Sequence, residues 1–567
     1  MNTHASKFAA VCARAFLKSK PEVSSSLPRF TLLGLAIPCF LTLFVVGSFV
    51  RSDSQSVSMI ALVRNTRFCS IDRAPVAINK TTLGTPMLRY ALFSSSLFLL
   101  MVLGSLSSSA SESEEPTMLV GGTVIDGNGN PPLPDAVVVI KGNRIVEIGS
   151  KRGIEDLKRG KVVDTTGKFI LPGLIDIHVH YHDWMGELFL AHGVTTVKDM
   201  GNDVEWISTI SAAVEQGALA GPRIIYVGNA LDASPPAMEH HVGIDSPQMA
   251  RCAVQILHGR GVSAIKVREK VTPELLQAVT QQAHQLGIPV TGHIMRTDAR
   301  EAAQAGIDGL EHATGIVQAI AGRPRQLEPG ENPVLTFISD FKAYSRVEPA
   351  KSDELVDLLA SCKVALIPTM ADLSRLVLEH GDDFALEDAV YANNQLLAYV
   401  PEGVRRMWAT SFFFKANYDD DLEQAQVGYK KQQELLVRHY KAGGKVLAGT
   451  DTFFSVPGLT LQRELAVLVE AGFTPLQAIT MATRDNAEFL GRGAELGTIM
   501  PGKLADIIVV SANPLDNIRN MQLVTLVIKG GQVVDTSYHA DYSSPKPRQE
   551  LTRPLWLEKQ MQASEPL

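Results

Sequence analysis

Cysteine is scarce in this sequence, and its scarcity excludes one class of protein. Only 5 of the 567 residues are cysteine. Cys12, Cys39 and Cys69 lie near the start of the chain, which leaves Cys252 and Cys362 for the remainder. No pair has the spacing of a CxxC redox motif or a zinc knuckle, so the sequence excludes a disulfide scaffold and a cysteine-based metal site.

An excess of basic residues is also missing. The chain has 53 lysine and arginine residues against 60 aspartate and glutamate residues. Residues 1–111 carry a net charge of +8, whereas residues 112–567 carry −15. A nucleic-acid partner is therefore not expected, because nucleic-acid binding requires a basic surface that displaces counterions. Hydrophobic residues make up 45% of the chain, which indicates a large globular body.

Two long apolar runs lie in the basic first part of the chain. The run at 30–50 is uncharged and reaches the ~20 residues that a helix needs to cross a bilayer. The run at 91–106 follows Arg89 and precedes small residues, as in a signal peptide that ends near Ala110. We predict that 1–86 is an upstream extension, that 87–110 is a signal peptide and that the mature protein is exported, which N-terminal sequencing tests. The alternative is that both runs are membrane helices that anchor the protein.

Short apolar runs alternate with amphipathic helical patterns between residues 169 and 495. This alternation is typical of a parallel sheet with crossover helices. Eight runs are present, at 169–177, 195–198, 223–227, 264–267, 289–291, 309–311, 364–368 and 446–449. Since eight strands close a TIM barrel, we predict an α/β fold with a (β/α)8 barrel.

Other segments are predicted to surround the barrel. Residues 370–443 are too long for one crossover and contain helical patterns, which indicates a helical insertion over the mouth of the barrel. Residues 111–168 and 496–537 are rich in β-branched residues and glycine turns. These two segments predict the halves of one small composite β-sandwich built from both chain ends. Residues 538–567 form a polar tail to which the sequence assigns no fold.

Chemically reactive residues lie at the ends of several predicted strands. His178 and His180 are two residues apart in the first strand, so both side chains point to one side of it. The fourth, fifth, sixth and eighth strands end at or just before Lys266, His293, His312 and Asp451. The carboxyl ends of barrel strands meet at the catalytic face. Imidazole nitrogens and a carboxylate that converge there predict a site for Zn²⁺, Mn²⁺ or a related ion.

The ordered set of motifs resembles a known family. LPGLIDIHVH, the strand-four lysine, GH, EH and GTD are followed by LGTIMPGKLADIIVV. This set is similar to that of the amidohydrolase superfamily, specifically its imidazolonepropionase-like and prolidase-like branch, over residues 118–535. The resemblance implies two divalent metal ions, zinc first, with Mn, Co or Fe as alternatives. It also implies a ligand set: His178, His180 and Asp451 for the more buried metal, His293 and His312 for the exposed metal, and Lys266 carboxylated to a carbamate that bridges both.

The resemblance also implies a reaction. A hydroxide that bridges the two metals attacks the carbonyl carbon of an amide, and Asp451 transfers the proton of this hydroxide to the leaving nitrogen. We therefore expect hydrolysis of an amide C–N bond. Three alternatives remain at this point: hydrolysis of a lactone or phosphotriester at the same centre, hydrolysis of a cyclic amide, and a non-catalytic scaffold that retains the barrel.

Basic residues near the predicted mouth indicate a substrate class. Candidate substrate contacts are His240, His241 and Arg296, and two further cations, Arg268 and Lys270, follow the fourth strand. Such cations bind carboxylates well. We therefore favour a small amide with a free carboxylate, such as a dipeptide or an N-acyl amino acid. The sequence leaves the oligomeric state open, a homo-oligomer included.

Overall fold

The computed structural model describes residues 115–546 with short gaps at 151–159, 237, 239–240, 322–332, 375–380, 410–421 and 453–454. The predicted membrane segment at 30–50, the predicted signal peptide at 87–110 and His240 lie outside the described residues. Within the described ranges, no helix combines the length and the apolar character needed to cross a bilayer.

The described strands form three sheets. In chain order they are β1 Thr117–Val124, β2 Leu133–Lys141, β3 Arg144–Ser150, β4 Lys161–Asp164, β5 Phe169–Pro172, β6 Leu174–Val179, β7 Val194–Asp199, β8 Arg223–Tyr226, β9 Leu231–Ala233, β10 Val242–Ile244, β11 Ile265–Val267, β12 Val290–Gly292, β13 Gly309–Glu311, β14 Ala365–Ile367, β15 Ile507–Val510, β16 Val524–Lys529 and β17 Gln532–Val533.

Helices follow most of the parallel strands. In chain order they are α1 Gly186–Ala191, α2 Val204–Glu215, α3 Pro247–Gly259, α4 Pro273–Gln285, α5 Ala299–Gln304, α6 Ile316–Ala321, α7 Pro333–Ser345, α8 Pro349–Ser361, α9 Met370–Ser374, α10 Gly381–Ala392, α11 Glu402–Ala409, α12 Leu422–Lys441, α13 Leu459–Glu470, α14 Pro475–Thr480 and α15 Asn486–Phe489. Helix α4 begins with a regular cap, because the Thr272 side chain accepts the backbone N–H of Leu275 and a proline opens the helix.

One eight-stranded sheet contains strands from both ends of the described chain, in the order β17-β16-β15-β5-β1-β2-β3 with β4 against β1. Strand β5 pairs antiparallel with β15, so that Pro172 lies opposite Ile507. The hydrophobic core on this sheet includes the fully buried Leu119, Val138 and Ile170. The second layer that a sandwich requires remains a prediction.

The other two sheets are parallel and carry the candidate site. One has the order β6-β7-β8 and the other β10-β9-β11-β12-β13-β14. The eighth predicted strand, 446–449, is not a regular strand, but Val446 forms a parallel bridge to Leu366 and Thr452 forms one to Val179. This arrangement is a TIM-barrel-like α/β fold. Closure of the barrel remains a prediction.

The prediction of one strand over 169–177 is wrong, because Gly173 divides it. Residues before Gly173 pair with β15, whereas residues after it pair with β7. The backbone N–H of Gly173 donates to the carbonyl of Asp506 at 2.8 Å. A Cβ at this position would lie 2.2 Å from Oγ1 of Thr195, so only glycine fits where the chain passes between sheets.

Two further segments differ from the sequence interpretation. The region between β8 and α3 contains the short parallel strands β9 and β10, which are not among the eight predicted runs. The first residues of the tail pack on the main body, where the Tyr542 hydroxyl donates to the carbonyl of Ala220 at 2.8 Å. His539 Nδ1 lies 2.6 Å from Oε1 of the buried Glu187.

Candidate metal centre

His178 and His180 lie at the carboxyl end of β6, where a buried acid fixes the backbone. Asp176 accepts a hydrogen bond from the backbone N–H of His178 at 3.2 Å. It also accepts from the backbone N–H and Oγ1 of Thr450, at 3.1 and 2.7 Å. Burial raises the pKa of Asp176 to about 8. One carboxyl group thus joins the end of β6 to the segment that carries Asp451.

Asp451 is held in an unusual backbone conformation that directs its carboxylate between two imidazoles. Its φ is +59°, a region that costs a residue other than glycine roughly 1–3 kcal/mol. The backbone N–H of Asp451 donates to the carbonyl of His178 at 2.8 Å. Its Oδ1 lies 3.1 Å from Nε2 of His178 and 3.1 Å from Nε2 of His180. The turn therefore brings three candidate ligand atoms together.

The spacing of these atoms fits a divalent cation. Ligands that bind zinc at about 2.0–2.1 Å in a tetrahedron lie roughly 3.3 Å from one another. The two 3.1 Å separations at Asp451 are close to this value. Ligand atoms of His178, His312 and Asp451 also lie within 4.8 Å of one another. Imidazole nitrogens with a carboxylate oxygen suit Zn²⁺, Mn²⁺ and related ions, so the residues present fit a metal centre.

His293 and His312 extend this cluster from the next strands. Their ring centroids are 4.7 Å apart, and the His312 ring is 4.9 Å from that of His178. Oγ1 of Thr369 donates to the carbonyl of Pro368 at 2.8 Å, so we assign it as the acceptor in its 2.6 Å contact with Nδ1 of His312. The Nδ1–H tautomer directs the Nε2 lone pair of His312 towards Asp451 Oδ2, at 3.7 Å.

Lys266 lies beside the histidines, against an acid that sequence reasoning missed. Nζ of Lys266 contacts Oε2 of Glu311, and both side chains are fully buried. The same Glu311 oxygen lies 3.9 Å from Nδ1 of His178. The sequence contained one indication of this contact. A glutamate at the end of a short apolar strand is seldom buried unless it is paired with a cation. Glu311 therefore belongs to the site as a neighbour of the predicted ligands.

Burial also sets the protonation of the candidate ligands. It holds the pKa of His178 and of His293 well below the usual range and lowers the pKa of His312 to about 3. Burial, followed by the charge of Arg268, lowers the pKa of Lys266. Burial acts to raise the pKa of Asp451, but His312 and His178 hold this pKa well below its usual range. Neutral imidazoles and an ionised carboxylate are the forms that bind metals.

A family model places this geometry among known proteins. The model of the amidohydrolase family matches residues 169–534, well over half of the chain and every candidate ligand. The chain belongs to the amidohydrolase family. This amidohydrolase is similar to a protein described as a prolidase from Bifidobacterium longum, with 25% identity and a TM-score of 0.54 over 79% of this chain and 99% of that chain.

Two other comparisons differ in reach. A structure of a Xaa-Pro dipeptidase with bound methionine shares the fold, with 23% identity and a TM-score of 0.53 over 74% of this amidohydrolase and 100% of that chain. A dihydroorotase from Lactobacillus helveticus is 40% identical over 96 residues, which are 15% of this chain and 21% of the dihydroorotase. The chain thus matches about a fifth of the length of that curated relative.

The structure shows fewer contacts for the predicted substrate-binding residues of this amidohydrolase than for its candidate metal ligands. His240 lies outside the described residues, and His241 is 8% exposed. Arg296 is exposed. Nε of Arg268 donates to Oε2 of Glu269 at 3.1 Å, and Nζ of Lys270 donates to the carbonyl of Pro235 at 2.9 Å. Arg268 is thus already paired with a carboxylate of the chain, whereas Arg296 presents its side chain to solvent.

Proposed function

We propose that this protein is a metal-dependent hydrolase that cleaves an amide C–N bond. The observation that carries the proposal is the convergence of His178, His180 and Asp451 at 3.1 Å spacings, with His312 beside them. Membership of the amidohydrolase family supports it. A scaffold that had lost catalysis would gain nothing from the left-handed backbone at Asp451 and His312, which costs stability.

The same residues are proposed to hold two divalent ions. His178, His180 and Asp451 would hold the more buried ion, and His293 and His312 the other. Lys266, as a carbamate, would supply an anionic oxygen ligand to both. When bound, such ions supply Lewis acidity and lower the pKa of water.

Asp451 is proposed to move the proton during hydrolysis. Its side chain is 19% exposed, whereas that of His178 is fully buried, so the carboxylate reaches the open side of the site. The low pKa of Asp451 keeps its carboxylate ionised, which leaves its oxygens free of a proton when water attacks. One of these oxygens is proposed to accept the proton of this water and then to donate it to the leaving nitrogen. One acid thereby serves both proton transfers.

The proposed substrate is a small amide with a free carboxylate, such as a dipeptide or an N-acyl amino acid. Arg296 is exposed and lies three residues after His293, and its guanidinium is proposed to bind the substrate carboxylate. The similarity to structures named prolidase and Xaa-Pro dipeptidase supports this class. A cyclic amide is the second candidate, because the local similarity to a dihydroorotase is 40%.

We expect metal-loaded protein to prefer a carboxylate substrate over its C-terminal amide by about tenfold or more in kcat/KM, since a hydrogen bond to a charged group contributes roughly 1.5–3 kcal/mol. Arg296→Gln should reduce this preference. Arg251→Gln is the charge-matched control, because Arg251 lies on α3 and its guanidinium faces Gln248 at 3.5 Å. Equal kcat/KM for the acid and its amide would remove the carboxylate anchor while leaving the hydrolase proposal intact.

A further inference from the structure

Glu464 lies outside the ligand set, yet its carboxyl group is completely buried and joins α13 to the start of α9. Its Oε2 accepts the backbone N–H of Ala371 at 2.6 Å. The nearby backbone N–H of Met370 also acts to lower the pKa of this carboxyl group. The first N–H groups of a helix have no partner within that helix. Glu464 therefore satisfies the N–H of Ala371, the second residue of α9.

Thr369, the residue before α9, combines an unusual backbone with a direct contact to a candidate ligand. Its φ is +48°, and it is completely buried. Such a residue keeps this conformation only where its surroundings hold it. Thr369 Oγ1 contacts Nδ1 of His312, and His312 itself has a φ of +56° and donates its backbone N–H to Ile367 at 2.8 Å. The orientation of the imidazole thus depends on the turn at Thr369.

We propose that Glu464 is a positioning residue for His312 and acts through Thr369. By accepting the backbone N–H of Ala371, Glu464 fixes the start of α9. The fixed start of α9 holds Thr369 in its left-handed conformation, with Oγ1 as the acceptor for Nδ1–H of His312. This hydrogen bond keeps the Nε2 lone pair of His312 directed into the metal site. The inference rests on the proposed metal centre.

An acid is a costly side chain for a purely structural contact at this depth. Burial raises the pKa of Glu464 to about 8, and its Oε1 has no hydrogen-bond partner among the described residues. The adjacent Arg463 does not offset this cost, because its guanidinium is directed to Glu387 and Asp388, each at 2.8 Å. The hydrogen bond that Glu464 accepts is at the start of α9, next to Thr369, and Thr369 contacts His312.

Zinc affinity of the full-length chain, measured by competition with a chelating dye, tests the inference without substrate. Glu464→Met keeps the side-chain volume but removes the hydrogen-bond acceptor. We expect it to weaken zinc binding at the site of His293 and His312 about tenfold, as when a hydrogen-bond partner of a metal ligand is removed. Glu464→Gln keeps an acceptor oxygen and should bind within about threefold of wild type. If Glu464→Met does not fold, Glu464→Leu takes its place.

A double-mutant cycle tests whether Glu464 and Thr369 affect zinc affinity through one pathway or independently. Thr369→Val cannot accept a hydrogen bond from Nδ1–H of His312. It should therefore also weaken zinc binding at the site of His293 and His312 about tenfold. The double variant Thr369→Val with Glu464→Met should lose no more than Thr369→Val alone, because both changes act on one pathway. Losses that multiply to about a hundredfold would overturn the inference.

Gln462→Met is the matched control on the same helix. Gln462 is buried, and its Nε2 donates to the carbonyls of His192 and Met521 at 2.8 and 3.0 Å. We expect this change to lower the melting temperature and leave zinc affinity unchanged. An equal loss of zinc affinity in Gln462→Met, or unchanged zinc affinity in Glu464→Met, would overturn this inference and leave the proposed metal centre intact. Wild-type protein that binds no zinc would overturn the proposed metal centre, and this inference with it.

Discussion

Lys266→Ala is expected to lower kcat by roughly a thousandfold or more and to reduce the amount of bound metal. Lys266 is fully buried beside Glu311, and Glu311 also lies 3.9 Å from His178. The low pKa that burial gives Lys266 favours the uncharged amine. We propose that this amine adds CO₂ with loss of one proton, which would yield an anionic oxygen ligand where an ammonium would repel two dications. Alanine can supply neither the nitrogen nor the carboxylate.

A short carboxylic acid should partly restore the activity of Lys266→Ala by replacing the missing anionic bridge. Lys198→Met is the matched control, because Lys198 is also completely buried and its Nζ lies 3.4 Å from Oγ1 of Thr291. This control should retain its metal and show no response to added acid. Steady-state kinetics and metal analysis of both variants check the prediction. Full activity in Lys266→Ala would rule out the carbamate.

Asp451→Asn is expected to keep most of the bound metal and to lose turnover by about 10³-fold, within the range for loss of a general acid–base group. The asparagine oxygen can still lie between His178 and His180, where Oδ1 of Asp451 is 3.1 Å from each. An amide, however, cannot accept and return a proton near neutral pH. Retained metal with lost turnover therefore separates proton transfer from metal binding.

Metal content and kcat of Asp451→Asn must be measured on the same preparation. A variant that loses its metal would show that the carboxylate acts first as a ligand, since its charge is needed beside His178, His180 and His312. Near wild-type turnover of an amide substrate would assign proton transfer to another group. Either result would change the role of Asp451.

Most candidate ligands could be predicted from the sequence because they lie at or near the end of a short apolar strand. His178 is the second-last residue of β6, and His293 and His312 follow β12 and β13; the parallel arrangement brings such ends together. The contact of Glu311 with Lys266 could not be predicted, because adjacent residues of a strand normally point to opposite faces and His312 was already assigned to the site. In the structure His312 has a φ of +56°, and both Glu311 and His312 contact site residues.

Long-range contacts account for the parts of the fold that were missed. The break in the first predicted strand depends on pairing between β5 and β15, which are more than 300 residues apart. The Pro172–Gly173 dipeptide was a local signal for a break, but it does not show that the two halves pair with different sheets. Glu464 likewise joins a segment that begins 94 residues earlier, at Met370. No spacing rule in the sequence connects a helix interior to a distant strand end.

Metal analysis of the full-length protein, paired with hydrolysis of an amide substrate, tests the central claim most directly. After loading with zinc or manganese and dialysis, we expect two divalent ions per chain, release of product with a new carboxylate and amine, and loss of this activity on chelation. Protein that retains no divalent ion after loading, or hydrolyses its amide substrate equally well in excess chelator, would contradict the account.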